Sequence, residues 1–255
     1  MQKLKATIRH SEIIARDTVQ FDLLIDPTIL KTIQPGQFVH VNIDDSSEHM
    51  LRRPISIADV KPDESLLTLI FKQFGEGTKK LAQLKAETPI DLLIPSGNGY
   101  PIDDLAIEHA LLIGGGIGVP PLYYLAKKLK EKNVKVTTVI GFQSADDVFY
   151  EEAFLTLGDC FVATDDGSYG YEGFVTDVMD QNKIDFDMYF ACGPNPMLRA
   201  VKYTLSDKEG YISLEERMGC GIGACYACVV PNRDETAYKK VCHDGPVFHT
   251  SEVSI

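Results

Sequence analysis

Over the first hundred residues, apolar and polar positions alternate in short stretches broken by glycine and proline. Val19-Gln20-Phe21-Asp22-Leu23 alternates with period two, as does Gln37-Phe38-Val39-His40-Val41-Asn42-Ile43, and Leu66 to Phe74 is largely apolar with turn residues beside it. Alternation of this kind puts one face of a strand in a core and the other in water. Several such strands at short spacing predict a small antiparallel β-barrel.

The pattern changes near Tyr100-Pro101. An apolar strand, His109 to Ile113, runs into Gly114-Gly115-Gly116-Ile117-Gly118-Val119-Pro120-Pro121. A helix is predicted from Leu122 to Lys132, because Leu122, Leu125, Ala126 and Leu129 fall at i, i+3, i+4 and i+7. Val134 to Phe142, Phe161 to Thr164 and Met188 to Cys192 read as further strands, most of them separated by spacers long enough for a helix. That order implies a parallel sheet covered by helices. After about Gly210 the chain becomes rich in cysteine and glycine and loses periodicity. Three modules are expected: a barrel over 1–100, an α/β nucleotide-binding domain over 101–210, and a small tail over 211–255 held by a cofactor.

Charge and length then narrow the function. The 255 residues carry 25 basic and 37 acidic side chains, a net charge of −12. A surface of that sign repels a phosphate backbone, so nucleic acid is excluded as an expected partner. No apolar run approaches the roughly 20 residues that cross a bilayer. Met1-Gln2-Lys3-Leu4-Lys5 leads straight into mixed sequence without a signal-peptide core. The expected setting is the cytoplasm.

In that reducing setting six cysteines do not form a disulfide framework. Cys160 and Cys192 stand alone in strand-like segments and read as small buried hydrophobes. Cys220, Cys225, Cys228 and Cys242 are crowded together as C-x4-C-x2-C, with thirteen residues before the fourth. This is the plant-type [2Fe–2S] ligand spacing. Gly219, Gly221 and Gly223 let the backbone pass close to the sulfurs and turn N–H groups toward a cluster of net negative charge. A structural zinc site is the bland alternative, although zinc knuckles usually come as two C-x2-C pairs. Reduced structural thiols are the other.

Arg52-Arg53-Pro54-Ile55-Ser56-Ile57 lies on a predicted barrel strand, and Gly75-Glu76-Gly77-Thr78 opens a helix expected over Thr78 to Leu84. Arg53 can pair bidentately with a pyrophosphate, Gly77 and Thr78 can add N–H and hydroxyl donors, and Ser56 can reach a flavin ring. A proline-broken edge strand with a solvated arginine would read the same way.

This ordering resembles the ferredoxin–NADP reductase superfamily, in which an arginine–x–tyrosine–serine strand binds flavin. With the cysteine tail added, the chain from about Lys5 to Phe248 looks like the electron-transfer subunits of class 1B dihydroorotate dehydrogenases. The resemblance implies that Arg53, Pro54, Ile55, Ser56, Ile70, Phe71, Lys72, Gly77 and Thr78 line FAD. Ile55 stands at the tyrosine position, so aliphatic packing is expected there in place of ring stacking.

Gly114, Gly115, Gly116 and Gly118 sit between strand and helix, where backbone amides favour a pyrophosphate, but they do not complete G-x-G-x-x-G. A tight βα turn is the plain alternative. The resemblance implies NAD(H) binding by this loop, by Asp166 of Thr164-Asp165-Asp166-Gly167, and by Cys192 and Gly193 of Cys192-Gly193-Pro194-Asn195-Pro196-Met197. Asp146 and Asp147 after the second strand, where a 2′-phosphate would call for basic residues, favour NAD over NADP.

No residue reads as a catalytic acid or base, and His243 beside Cys242 reads as a local hydrogen-bonding group. The resemblance implies an electron relay from the FMN of a partner dihydroorotate dehydrogenase subunit, through [2Fe–2S] and FAD, to NAD+, in a heterotetramer with two copies of each chain. A thinly covered cluster gives a physical reason for such a partner. Two rivals remain: a self-contained NAD(P)H reductase serving an oxygenase or a sulfur- or hydrogen-metabolising complex, and a non-enzymatic redox sensor or zinc-stabilised regulator.

Overall fold

The computed structural model describes residues 1–43 and 49–255. The chain begins β1 (Gln2–Ala15), β2 (Thr18–Leu24), α1 (Pro27–Leu30), β3 (Phe38–Val41), β4 (Arg53–Lys61), β5 (Leu66–Lys72), α2 (Glu76–Ala82) and β6 (Pro89–Ser96). The six strands close into an antiparallel barrel in the order β1-β2-β5-β4-β3-β6. The alternation read from sequence fills its interior. Val19, Phe21 and Leu23 of β2 meet Val39 and Val41 of β3 and Leu67 and Leu69 of β5, none more than 2% exposed. Periodicity does not single out β1. Half of its positions are exposed, and Ala6 and Ile8 are the two it buries.

The chain continues through β7 (His109–Gly115), α3 (Val119–Glu131), β8 (Lys135–Phe142), α4 (Glu151–Leu155), β9 (Asp159–Thr164), β10 (Tyr171–Glu172), α5 (Val175–Asn182), β11 (Met188–Cys192), α6 (Asn195–Thr204) and β12 (Gly210–Ser213). The tail adds a hairpin, β13 (Val229–Pro231) and β14 (Tyr238–Lys240), and a last strand, β15 (Val247–His249). The large sheet runs β10-β9-β8-β7-β11-β12-β15, parallel except for β15. Leu111 and Ile113 of β7 pack with Val178 of α5 and Leu198 of α6, while Ala110 and Leu112 pack with Leu122 and Leu125 of α3. The apolar stripe predicted for α3 is its buried face. The helix starts at Val119 because Pro120 and Pro121 fit a first turn, where no N–H partner is needed.

β12 spans the expected 210/211 boundary, and β15 completes the same sheet, so the tail is built onto the nucleotide-type domain. Barrel and sheet are pinned together by buried acids. Asp147 pairs with Lys72 at 2.9 Å and with Arg16, and Asp59 pairs with Lys127 of α3 at 2.6 Å. Among the described residues, no helix is long and apolar enough to cross a membrane.

Candidate functional site

The tail forms its site from backbone as much as from thiols. Gly221 and Gly223 hold φ at +68° and +79°, a region few side chains tolerate, and so turn the loop back on itself. Four amides then donate to sulfur: Ile222 and Cys225 to Cys220 Sγ at 3.5 and 3.3 Å, Gly223 to Cys242 Sγ at 3.2 Å, and Cys242 to Cys228 Sγ at 3.5 Å. As a free thiol Cys220 is pulled down to about 6, chiefly by the Ile222 amide. Cys242 is pushed up to about 12 by burial and by the adjoining Cys228 thiol.

Among the described residues no three His, Cys, Asp or Glu side chains converge on a single metal-ion position. The thiols come instead as two pairs, Cys220 with Cys225 and Cys228 with Cys242. Two ligands on each of two irons is how a [2Fe–2S] cluster is held, so the donor set fits that group better than one tetrahedral zinc. His243 is exposed and bonds Asp244 at 2.9 Å, a local contact as expected.

The barrel meets this loop through β3. Phe38 packs in the same apolar cluster as Cys228 and Cys242. His40, two residues on, bonds the Gly221 carbonyl. On the ladder Phe38 faces Ser56 and His40 faces Pro54, so a single strand separates the flavin motif from the thiol loop.

At the flavin motif, Arg53 lies against Gly77, where a Cβ would come within 2.7 Å of Nη2. The bare glycine is what lets the guanidinium sit on the first turn of α2, a cradle suited to a pyrophosphate. Pro54 and Ser56 face outward. Ile55 does not offer aliphatic packing to a ring. It is 5% exposed and turned into the barrel core with Ile57. Phe71 is likewise interior, edge-on to Phe21 at 5.1 Å. Ile70 packs toward α3, and Lys72 is taken up by Asp147. The helix begins at Glu76 rather than Thr78, and the Thr78 hydroxyl accepts the Phe74 and Gly75 amides at 3.0 and 3.2 Å. Capping α2 therefore occupies the hydroxyl expected to face a phosphate. Arg52 serves the barrel, bonding Asp91 at 2.5 Å.

A cavity of about 720 Å³ opens between the barrel and the carboxyl ends of β7, β8 and β11. That is the position and size of a nucleotide site in an open α/β sheet. Gly115 and Gly116 line it, as do Pro194, Pro196 and Met197 of the later turn. Gly114 and Gly118 do not. They are close-packing glycines, since a Cβ would come within 2.9 Å of Val119 at residue 114 and within 2.4 Å of the Cys192 carbonyl at residue 118. Gly193 is held against Met197 in the same way. Asp165 lines the cavity, whereas Asp166 turns away to accept from the Ser168 amide at 3.0 Å. Cys192 is 1% exposed, and burial raises its thiol well above the ordinary range.

Asp147, expected to repel a 2′-phosphate, instead binds Arg16 and Lys72. Burial opposes its ionisation, but those two cations outweigh it and hold the carboxyl below its usual value. Arg16, Phe74 and Phe174 also line the cavity. They carry no motif, and topology alone brings them there. A second cavity of about 580 Å³ lies beside the thiol loop, lined by Gln37, Asn98, Ile222 and Cys242 among others.

Comparison with known proteins agrees with this arrangement. Residues 215–254 match the iron–sulfur cluster binding domain of dihydroorotate dehydrogenase B, and residues 112–203 match an oxidoreductase NAD-binding domain. The dihydroorotate dehydrogenase B (NAD+) electron transfer subunit of Shouchella clausii is 49% identical over 98% of this chain and 97% of its own length. The chain belongs to the dihydroorotate dehydrogenase B electron transfer subunit family. The same-named protein of Geobacillus kaustophilus is also 49% identical, with the same coverage. Among solved structures, an NADH-dependent reduced ferredoxin–NADP oxidoreductase superposes with a TM-score of 0.87 at 32% identity, over 98% of this chain and 89% of its own. An Amycolatopsis cytochrome P450 reductase shares the barrel-and-sheet fold at a TM-score of 0.67 and 24% identity, over 81% of this chain and 66% of its own. The match to the cluster-binding domain begins just after β12, and the match to the NAD-binding domain runs from within β7 to the end of α6.

Proposed function

We propose that this chain is the electron-transfer subunit of a dihydroorotate-oxidising complex, carrying electrons from the FMN of a catalytic partner subunit to NAD+. The supporting observation is near-full-length likeness to the family together with two thiol pairs folded against the flavin-type strand. In this reading the three modules are a FAD barrel, an NAD sheet and a [2Fe–2S] tail. Bound FAD exchanges two electrons with a nicotinamide and single electrons with a cluster, which makes it the converter between the two.

The chain's own residues then have separable tasks. Cys220, Cys225, Cys228 and Cys242 hold the irons, and the four amides that donate to their sulfurs offset the charge of an anionic cluster. Arg53 neutralises the FAD pyrophosphate while Gly77 keeps the approach open. Ser56, on the outward face of β4, would offer its hydroxyl to the flavin. Gly115 and Gly116 bring backbone close to NAD, and Pro194, Pro196 and Met197 wall the opposite side. Arg16 and Lys72, tied to Asp147, place two cations at the cavity mouth where they can meet the phosphates of the dinucleotide. None of these groups moves a proton from dihydroorotate, which assigns that step to the partner.

The complex is read as a cytoplasmic heterotetramer with two copies of each chain. Its test is reconstitution. Dihydroorotate-dependent NAD+ reduction is expected in the mixture with an FMN-bearing partner and absent from either chain alone. NADH oxidation by this chain coupled to an oxygenase, with no dihydroorotate activity in any mixture, would favour the self-contained reductase instead.

A further inference from the structure

We propose that His40 is a positioning residue that fixes the Gly221–Ile222 peptide and thereby sets the electron affinity of the cluster. The inference rests on the four-cysteine reading above. His40 is 2% exposed on β3, and its Nε2 lies 3.1 Å from the Gly221 carbonyl oxygen. A carbonyl only accepts, so Nε2 carries the proton and donates.

The consequence follows from peptide geometry. In a trans peptide the C=O and the following N–H point in opposite directions. Anchoring the Gly221 carbonyl on His40 therefore drives the Ile222 N–H to the far side, where it meets Cys220 Sγ at 3.5 Å. If the anchor is lost the peptide is free to rotate, removing a donor from one sulfur and turning a carbonyl dipole toward the cluster. Donors to the sulfurs are among the features that tune cluster potential, and losing one favours the oxidised form.

The surroundings leave the ring little freedom. A Cβ on Gly221 would come within 2.3 Å of His40 Cε1, so ring and glycine are already in contact. Phe38 packs edge-on against the imidazole at 5.0 Å, and Arg52 donates to the His40 carbonyl at 3.3 Å. Because His40 faces Pro54 on the ladder, one side chain joins the strand that carries the flavin motif to the peptide that serves Cys220.

The experiment uses the full chain with its cofactors, purified without air together with its partner. Iron and flavin content, the electron paramagnetic resonance spectrum of the reduced cluster and its midpoint potential are compared for wild type, His40→Leu and His40→Gln. Leucine fills the space without a donor, whereas glutamine keeps an N–H. His40→Leu is expected to retain iron, alter the spectrum, and shift the flavin–cluster electron equilibrium about tenfold away from the cluster, or about 59 mV for a one-electron couple. His40→Gln is expected to return most of the way to wild type. An unchanged potential and spectrum in an iron-replete His40→Leu protein overturns the proposal. Should the leucine variant lose its iron, the glutamine variant decides: a wild-type spectrum supports the donor role, and equal loss of iron overturns it. Absence of iron from the wild type is a different failure, because it sinks the cluster reading before any variant is compared.

Discussion

The thiol loop and the nucleotide cleft are built on opposite plans. In the loop, four thiols lie within 23 positions, and the backbone between them, turned by Gly221 and Gly223, supplies donors to their sulfurs. In the cleft, the lining comes from the barrel turn at Arg16, the strand end at Lys72, and the four turns that follow β7, β8, β9 and β11 at the sheet's carboxyl edge. A local site of the first kind is expected to fail outright when one ligand goes and to leave the rest standing. A distributed site of the second kind is expected to weaken by degrees.

The sharpest way to break that contrast is Cys225→Ser. Iron should fall from about two per chain to near zero, and the broad visible absorption should go with it. Flavin content and NADH oxidation by an artificial dye should persist. Equal loss of flavin in the same protein would mean that loop and barrel are not separable.

Gly118→Ala comes next. The new Cβ would meet the backbone of Cys192 and Gly193 at 2.4 to 2.5 Å, so the β7 and β11 turns must part, at a cost of about 1–3 kcal/mol. Thermal unfolding should show the loss, with weaker NAD binding and intact iron. Were the variant as stable as wild type, the close packing assigned to this glycine would be wrong.

Asp147→Asn leaves Lys72 and Arg16 without their counter-ion, and partial exposure of both cations limits the expected loss to about 1–2 kcal/mol. The sign with pH follows from the depressed carboxyl. Asp147 contributes its stability above the unfolded aspartate value near ~3.9, and that contribution drains away as pH falls through the lower folded value. Denaturant melts should therefore separate the two proteins at neutral pH and converge in acid. A constant gap down to strongly acidic pH would count against the ion pairs. The smallest expected effect is Arg16→Ala, a rise in KM for NAD of about tenfold or less for one partly exposed cation, read by steady-state dye reduction with flavin content unchanged.

The same contrast explains what the sequence made legible. Cysteine spacing is local, so the gathering of four thiols in one loop and the three-part order of the fold could be read directly. Period-two and i, i+3, i+4 patterns located β2, β3, β5 and α3, because each buries one face. The cleft was harder. Gly114 and Gly118 have the same residue type and neighbourhood as Gly115 and Gly116, yet they stay out of the cavity, and the Val119 and Cys192 contacts that hold them exist only in the folded turns. Asp166 was expected where Asp165 stands, because a turn reverses the facing of adjacent residues. A motif position does not say which side of β4 a side chain takes, and Ile55 turns into the barrel core. Arg16 and Phe74 reach the cavity from distant loops and left no local signal. His40 was visible only as part of an alternating strand, since nothing in the linear order brings it to Gly221, 181 positions away.

The central claim is that two thiol pairs hold a two-iron cluster in electronic contact with a flavin on the neighbouring strand. Anaerobic titration of the purified chain with NADH, followed by absorbance and by iron analysis, tests it directly. The account predicts about two irons per chain, with the flavin band and the broad cluster absorption bleaching together. A colourless protein holding one zinc, or a flavin that bleaches while the cluster absorption stands unchanged, would contradict it.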